Sequence, residues 1–335
     1  MKNNPNNADG KGRPLLVVFL TVLIDMMGIG ILFPVLPLLL GQPGSEFYIL
    51  PPGVSEQTGY LLLGLLTAIY PLAQFLATPI LGQLSDRYGR RKILMLSLAG
   101  TALGYLLFAM AILWKSIPLL FISRALDGVT GGNISVANAA IADITKPQDR
   151  AKNFGLIGAA FGLGFIIGPF LGGKLSDTNL VSWFNATTPF IFAAILAVIN
   201  IISVYLFLPE TLKEAKTGTI KLKLGASFNH IRRSFLIKEV RLLFLIGFLF
   251  SGGFAFFTTF FAVYLSNKFG FNQGNIGDFF AEVGVFIVIT QALIVRKMAT
   301  AFKEDEILRF SILGLAIGVF LYLVPTEGWQ VYAVT

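Results

Sequence analysis

Gly82-Gln83-Leu84-Ser85-Asp86-Arg87-Tyr88-Gly89-Arg90-Arg91-Lys92 is a charged stretch set between two apolar runs, roughly 58–81 before it and 93–113 after it. Each run is long enough to cross a bilayer core as a helix. The chain must therefore turn back on itself within this stretch. Gly82 and Gly89 permit close approach and unusual backbone angles. Asp86 can cap the following turn or pair with an arginine. A plain basic loop accounts for the arginines but not for the order of Gly, Asp and Gly.

The same alternation of long apolar runs and short polar links fills the chain. Of 335 residues, 55% are hydrophobic and 13% charged, against about 25% charged in an ordinary soluble domain. The mean hydropathy of +0.75 agrees, and lipid is the solvent that fits such a surface. Nine complete spans are expected, near 14–40, 58–81, 93–113, 117–142, 153–173, 189–208, 240–265, 276–295 and 307–324. Trp329 to Thr335 reads as the start of a tenth, so a truncated sequence is expected. Residues 1–13 read as a polar cytoplasmic tail. The first apolar run is too long for a cleavable signal core.

Basic residues set the expected orientation. With the N-terminus in the cytoplasm, the basic residues of the polar links gather on that side, and the opposite side holds Lys115, Lys174 and Lys268. This explains a net charge of +8 and a pI near 9.6 without a nucleic-acid partner. The longest link, 209–239, is basic and divides a six-span bundle, 14–208, from a partial second bundle, 240–335. His230 lies there and reads as a solvated linker residue. There is no cysteine and only this one histidine, so thiolate and His-based zinc sites are excluded. No catalytic constellation or nucleotide motif is legible, which argues against a membrane enzyme.

Polar residues inside the spans are the functional candidates. Asp25 lies eleven residues into the first span, about 16 Å at helical rise and near mid-membrane. A carboxyl buried there suits reversible protonation; a structural, permanently neutral carboxyl is the competing reading. In the fourth span, Arg124, Asp127, Gly131, Ser135 and Asn138 fall on one helical face, with Gly128 and Asn133 between them. Arg124 and Asp127 are one turn apart and can pair, for coupling or as structural glue. Gln74, Ser135 and Asn138 are cavity-lining candidates. Gly164, Gly168 and Gly172 are spaced by four and offer a groove for a neighbouring helix; Pro169 bends the same span. In the eighth span, Asp278 reads as solvated and Glu282 as a second, deeper protonation candidate. The phenylalanines of span seven, Phe244 to Phe261, fit lipid or helix packing better than a drug site.

The opening stretch resembles the signature loop of the major facilitator superfamily, G-x-L-x-D-R-x-G-R-R-K. The weaker second copy expected between spans eight and nine, Arg296 to Glu306, lacks its glycines and its Asp-Arg pair. Arg124-x-x-Asp127-Gly128-x-x-Gly131 is similar to the family's fourth-span motif, with Asp127 in place of the usual glutamine. Gly164-x-x-x-Gly168-Pro169-x-x-Gly172-Gly173 is similar to the fifth-span motif of antiporters. Asp25 through Pro37 resembles the first span of twelve-span drug:proton antiporters, a family that includes tetracycline exporters. The resemblance implies an all-α fold of two six-helix bundles, the second incomplete here. It implies a latch role for Gly82, Asp86, Arg87, Gly89 and Arg90. It implies proton coupling for Arg124; Asp25, with Asp127 or Glu282, remains the protonation candidate read from the spans themselves. The implied activity is export of small lipophilic molecules by a monomer in the cytoplasmic membrane, with protons as coupling ion and no cofactor. A metabolite importer or facilitator of the same superfamily is the alternative.

In this cysteine-free chain the topology is directly testable. Single cysteines at Ser55 and Ser182 should label from outside in intact cells, and those at Ser85 and Thr217 should be protected. The reverse pattern overturns the orientation.

Overall fold

The computed structural model describes residues 9–212, 228, 231–232 and 235–335. His230 and most of the central link lie outside the described residues. Those described are helical, with no strand among them. The helices are α1 Asp9–Leu36, α2 Glu56–Tyr88, α3 Arg90–Leu113, α4 Ile117–Thr130, α5 Asn133–Ile144, α6 Arg150–Leu175, α7 Thr188–Phe207, α8 Lys238–Phe269, α9 Gln273–Ile289, α10 Val295–Ala301, α11 Glu304–Leu321 and α12 Gly328–Val334.

Among the described residues, six helical stretches, 13–41, 56–88, 90–113, 147–175, 188–207 and 241–269, are long and apolar enough to cross a membrane. Three expected spans differ for local reasons. The fourth is broken at Gly131–Gly132 into α4 and α5. The eighth runs from α9 into a π turn, Thr290–Ile294, and then α10. The ninth opens on Glu304-Asp305-Glu306, a charged first turn. The first span also departs from expectation. Helix begins at Asp9, inside the stretch read as a polar tail, and ends in a π turn, Pro37–Gly41.

The stretch from Gly82 to Lys92 is not a loop. α2 continues to Tyr88 and α3 starts at Arg90, so Gly89 alone leaves the helical path. Its φ of +101° is open to glycine and strained for other residues. Its N–H still bonds the Ser85 carbonyl at 3.2 Å.

Packing follows helix faces. On α7, Ala193, Ala197, Asn200 and Val204 are buried, while Ile195, Ile199, Ile202 and Leu206 form an exposed stripe. An apolar stripe left exposed along a whole helix suits lipid contact. α3 packs on α7 and α4, and α2 packs on α4. A separate apolar cluster, including Phe261, Phe279, Phe280 and Val331, is drawn wholly from residues 261–331.

α6 is the helix shared by both parts of the chain, packed on α1 and on α9. Gly164, Gly168 and Gly172 face α1. A methyl group on Gly168 would fall 2.6 Å from the Met27 carbonyl oxygen, and one on Gly172 would fall 2.6 Å from that of Ile31. Gly173 faces the other way, against Gln273 and Gly277 of α9. Pro169 belongs to both contacts, with its ring at Gly30 and its carbonyl at Gly277.

Gly168→Ala should therefore destabilise the protein by roughly 1–3 kcal/mol, the usual range for overpacking. Gly158→Ala on the same helix, where a methyl group meets nothing within 4 Å, should be neutral or stabilising. Thermal unfolding of the two variants in detergent checks this, and equal melting would refute the contact.

Candidate functional site

The last turns of α4 carry the buried charge pair. Arg124 Nη1 and Asp127 Oδ2 lie 2.6 Å apart. Only 4% of Arg124 and 3% of Asp127 is exposed. The Arg124 guanidinium sits over the Tyr70 ring of α2, 4.4 Å from its centroid. Thr101 of α3 lies beside Asp127. Two glycines make the fit possible. A methyl group on Gly104 would fall 3.0 Å from Asp127 Cβ, and one on Gly128 would fall 2.4 Å from the Tyr70 carbonyl oxygen.

Asp25 of α1 lies in the same buried layer, beside Asn133 and within the field of Asp127. Tyr105 of α3 reaches across to the backbone of Gly28 on α1. The break between α4 and α5 is tied into this layer. The Gly131 N–H donates to the Asp127 carbonyl at 2.7 Å, and Gln74 Nε2 donates to the Gly131 carbonyl at 2.7 Å.

In front of the layer is a cavity of about 350 Å³, lined by α1, α2, α4, α6 and α8. Phe33, Phe165, Phe250 and Phe254 supply aromatic wall, and Tyr70, Gln74, Arg124, Thr67, Thr258 and Thr259 supply polar atoms. Arg124 thus lines the cavity and pairs with Asp127 at once. Asp25 stands behind the wall and is not part of the lining. Gln74 lines the cavity; Ser135 and Asn138 do not. The helix break removes them from the face of Arg124, and their side chains bond the carbonyls of Gly132 and Ile134 on their own segment. Phe250 and Phe254 of span seven line the cavity, and Phe254 also packs on Phe165 and Phe250.

Gln42 bonds Ser266, Asn267 donates to Tyr60 at 3.0 Å, and Lys174 Nζ lies 2.8 Å from Asp278 Oδ2. These contacts join the two parts of the chain at the end that carries Gln42 and Lys174, beside the close approach of Gly173 and Gly277. Asp278 is therefore paired, not simply solvated. Glu282 lies on α9 near Tyr322 and Tyr332, away from Asp25, and its Oε2 is buried without a hydrogen bond.

At the other end, Arg90 gathers acids from three segments. Its Nη1 is 2.5 Å from Asp86 and its Nε 3.2 Å from Asp143 at the end of α5. Its backbone N–H donates to Glu210 Oε1 at 2.8 Å. Glu210 also takes the Leu212 N–H at 3.0 Å, and Thr211 donates to Asp143 at 3.3 Å. A methyl group on Gly89 would fall 2.2 Å from Glu210 Oε2 and push that carboxylate aside, while the φ of Gly89 is what favours glycine there. Gly82 faces Ser135 of α5, 4.0 Å from the position a methyl group would take. Arg87 rests on the Tyr88 ring.

Asp143 and Glu210 were not predicted as partners of Arg90, because each sits at a span end where sequence shows only a polar boundary. Tyr70 and Tyr105 carry no signal among so many aromatic residues. Asn133 falls off the helical face drawn through Arg124 and Asp127, and only the break at Gly131–Gly132 brings it to Asp25.

The family model described as Major Facilitator Superfamily matches residues 18–334. Tetracycline resistance protein, class H, of Pasteurella multocida is 34% identical over 300 residues, covering 89% of this chain and 70% of that protein. The class B protein of Escherichia coli is 31% identical over 318 residues, covering 95% and 74%. Among solved structures, the human organic anion transporter MFSD10 aligns with a TM-score of 0.62 at 26% identity, over 88% of this chain and 74% of that one. A D-xylose-proton symporter aligns with a TM-score of 0.71 at 18% identity, over 96% and 77%, a likeness of fold.

Asp86→Asn should cripple transport while membrane insertion stays normal, since topology does not need that charge. Asp143→Asn should be milder, because its bond to Arg90 is the longer of the two. Transport assays on equally inserted variants decide it; full activity of Asp86→Asn would remove the latch role.

Proposed function

Because this chain belongs to the major facilitator superfamily, we propose that it is a proton-coupled antiporter that exports small lipophilic molecules by alternating access. The observation that carries this is the buried layer of Asp25, Arg124 and Asp127 directly behind an aromatic cavity. A proton site and a substrate site that share one residue, Arg124, are what coupling needs. The flat walls of Phe165, Phe250 and Phe254 suit a polycyclic ring system, and Arg124, Gln74 and the threonines suit its oxygen atoms. Tetracycline, named in the curated relatives, is the first substrate to test.

On this reading the N-terminus is cytoplasmic and the membrane is the bacterial inner membrane. The contacts of Gln42, Tyr60 and Lys174 then close the outer end, so the cavity communicates inward. Residues 14–208 act as one rigid bundle and 240–335 as part of the second. Movement between them works on the α6–α9 contact and on the Lys174–Asp278 pair. The Arg90 cluster, with Asp86, Asp143 and Glu210, holds helix ends at the cytoplasmic face and serves as the latch. Asp25 takes a proton from outside and gives it up inside.

Asp25→Asn mimics the permanently protonated carboxyl at nearly the same volume. It should bind substrate and support exchange between equal pools, but lose accumulation driven by a pH gradient. Proton and substrate flux measured together in reconstituted vesicles test this. An Asp25→Asn protein that still moves both at the wild-type ratio makes Asp25 structural and passes the role to Asp127 or Glu282.

A further inference from the structure

Both carboxyl oxygens of Asp25 and both polar atoms of the Asn133 carboxamide are buried, and no group meets any of them in full hydrogen-bond geometry, although the Asn133 amide is close enough to act on the Asp25 carboxyl. Asp25 is 4% exposed and Asn133 not at all. Buried polar groups are normally paired, and leaving them unpaired is costly. Most polar side chains around them are held. Thr21 donates to the Val17 carbonyl at 2.9 Å, Ser123 to that of Leu120 at 2.7 Å, and Asp127 has Arg124. Ser97 Oγ and one nitrogen of Asn200 are also unpaired, but neither residue ionises.

We propose that Asn133 is the positioning residue for the proton that Asp25 exchanges, its carboxamide bonding the carboxylate through Nδ2 and, after a half-turn, the carboxylic acid through Oδ1. A carboxylate only accepts hydrogen bonds, whereas a carboxylic acid also donates one. A carboxamide carries a donor and an acceptor on one flat group, so it can serve both states. The half-turn breaks no bond, because the amide holds no other partner. The charged and titratable groups facing Asp25 are Asp127 from α4, itself held by Arg124, Tyr105 from α3 and Tyr70 from α2. The acid and its amide partner thus sit beside an Asp127 that is held by Arg124 and a Tyr70 ring that is covered by the same guanidinium.

The position of Asn133 also connects it to the cavity. It is the first residue of α5, directly after the break at Gly131–Gly132. Gln74 on the cavity wall holds the Gly131 carbonyl, and Gly131 holds the Asp127 carbonyl. A substrate that draws Gln74 away loosens the break and displaces the amide from Asp25. This gives the empty and loaded cavity different preferences for the protonated acid. The inference rests on the proposed coupling role of Asp25.

The test uses the full chain in reconstituted vesicles, with tetracycline as probe and three variants, Asn133→Leu, Asn133→Ser and Asp25→Asn. Leucine matches asparagine in size but bonds neither state; serine can donate and accept. Asn133→Leu should lower pH-driven accumulation about tenfold while exchange stays within about twofold, the scale of one lost buried hydrogen bond. Asn133→Ser should recover most of the loss. Infrared difference spectra across a pH step give a readout that packing alone would not move. The protonated-carboxyl band that vanishes in Asp25→Asn should shift to higher frequency in Asn133→Leu. An unmoved band, a wild-type proton-to-substrate ratio in Asn133→Leu, or equal loss of exchange and driven transport overturns the role of Asn133. If Asp25→Asn itself remains coupled, the coupling reading fails. If it is uncoupled while Asn133→Leu behaves as wild type, only the amide role fails.

Discussion

An ion pair within the apolar interior, Arg124 to Asp127, governs the arrangement of the first helices. Removing Arg124 would leave the Asp127 carboxylate buried without its partner, a cost of several kcal/mol. The helices around the pair are shaped to keep it. Gly104 lets α3 approach Asp127, Gly128 lets α4 approach the Tyr70 carbonyl, and the Tyr70 ring covers the guanidinium. Arg124 still reaches the cavity, so the pair is both a structural clamp and one wall of the space where substrate would sit.

Close backbone contact does the corresponding work on the other side of α1. In lipid there is no hydrophobic drive to bring one apolar helix onto another, so packing depends on small residues that allow many atoms to touch. α6 meets α1 through Gly164, Gly168 and Gly172, and meets α9 through Gly173. A helix gripped from two sides transmits displacement of one part of the chain to the other. The Lys174–Asp278 pair is half exposed, so its attraction is weakened by solvent. It guides registry at that end more than it holds the parts together. The glycine contacts are the stiffer element.

Sequence shows the membrane class, the order of spans, the Arg124–Asp127 pair and the glycine groove, because each depends on local spacing along one helix. It fails where geometry depends on a break. The fourth span reads as one helix because Gly131 and Gly132 are common within membrane helices. Once the chain turns there, Ser135 and Asn138 leave the face of Arg124 and Asn133 arrives beside Asp25. The stretch from Gly82 to Lys92 reads as a loop because it is charged, yet helix continues through all of it except Gly89. Beyond its local pair with Asp86, Arg90 is held by Asp143 at its guanidinium and by Glu210 at its backbone N–H, partners more than fifty residues away that no local pattern reveals. The aromatic cavity wall has the same origin. Phe250 and Phe254 differ from their lipid-facing neighbours only in what α1 and α6 place opposite them.

The separation between cavity and carboxyl bears on how coupling could work. If Asp25 lined the cavity, a bound drug and a bound proton would compete by direct contact, and the shape of each drug would alter proton affinity. Here Arg124 and Gln74 stand at the cavity surface, while Asp25 lies one layer behind. On the proposed reading, communication passes through backbone carbonyls at Gly131 and Asp127, which any occupant able to draw on Gln74 or Arg124 can disturb. A transporter built in this way can accept chemically varied substrates and keep one proton site unchanged. The aromatic walls are free to vary in what they hold, because the acid–base chemistry is done behind them.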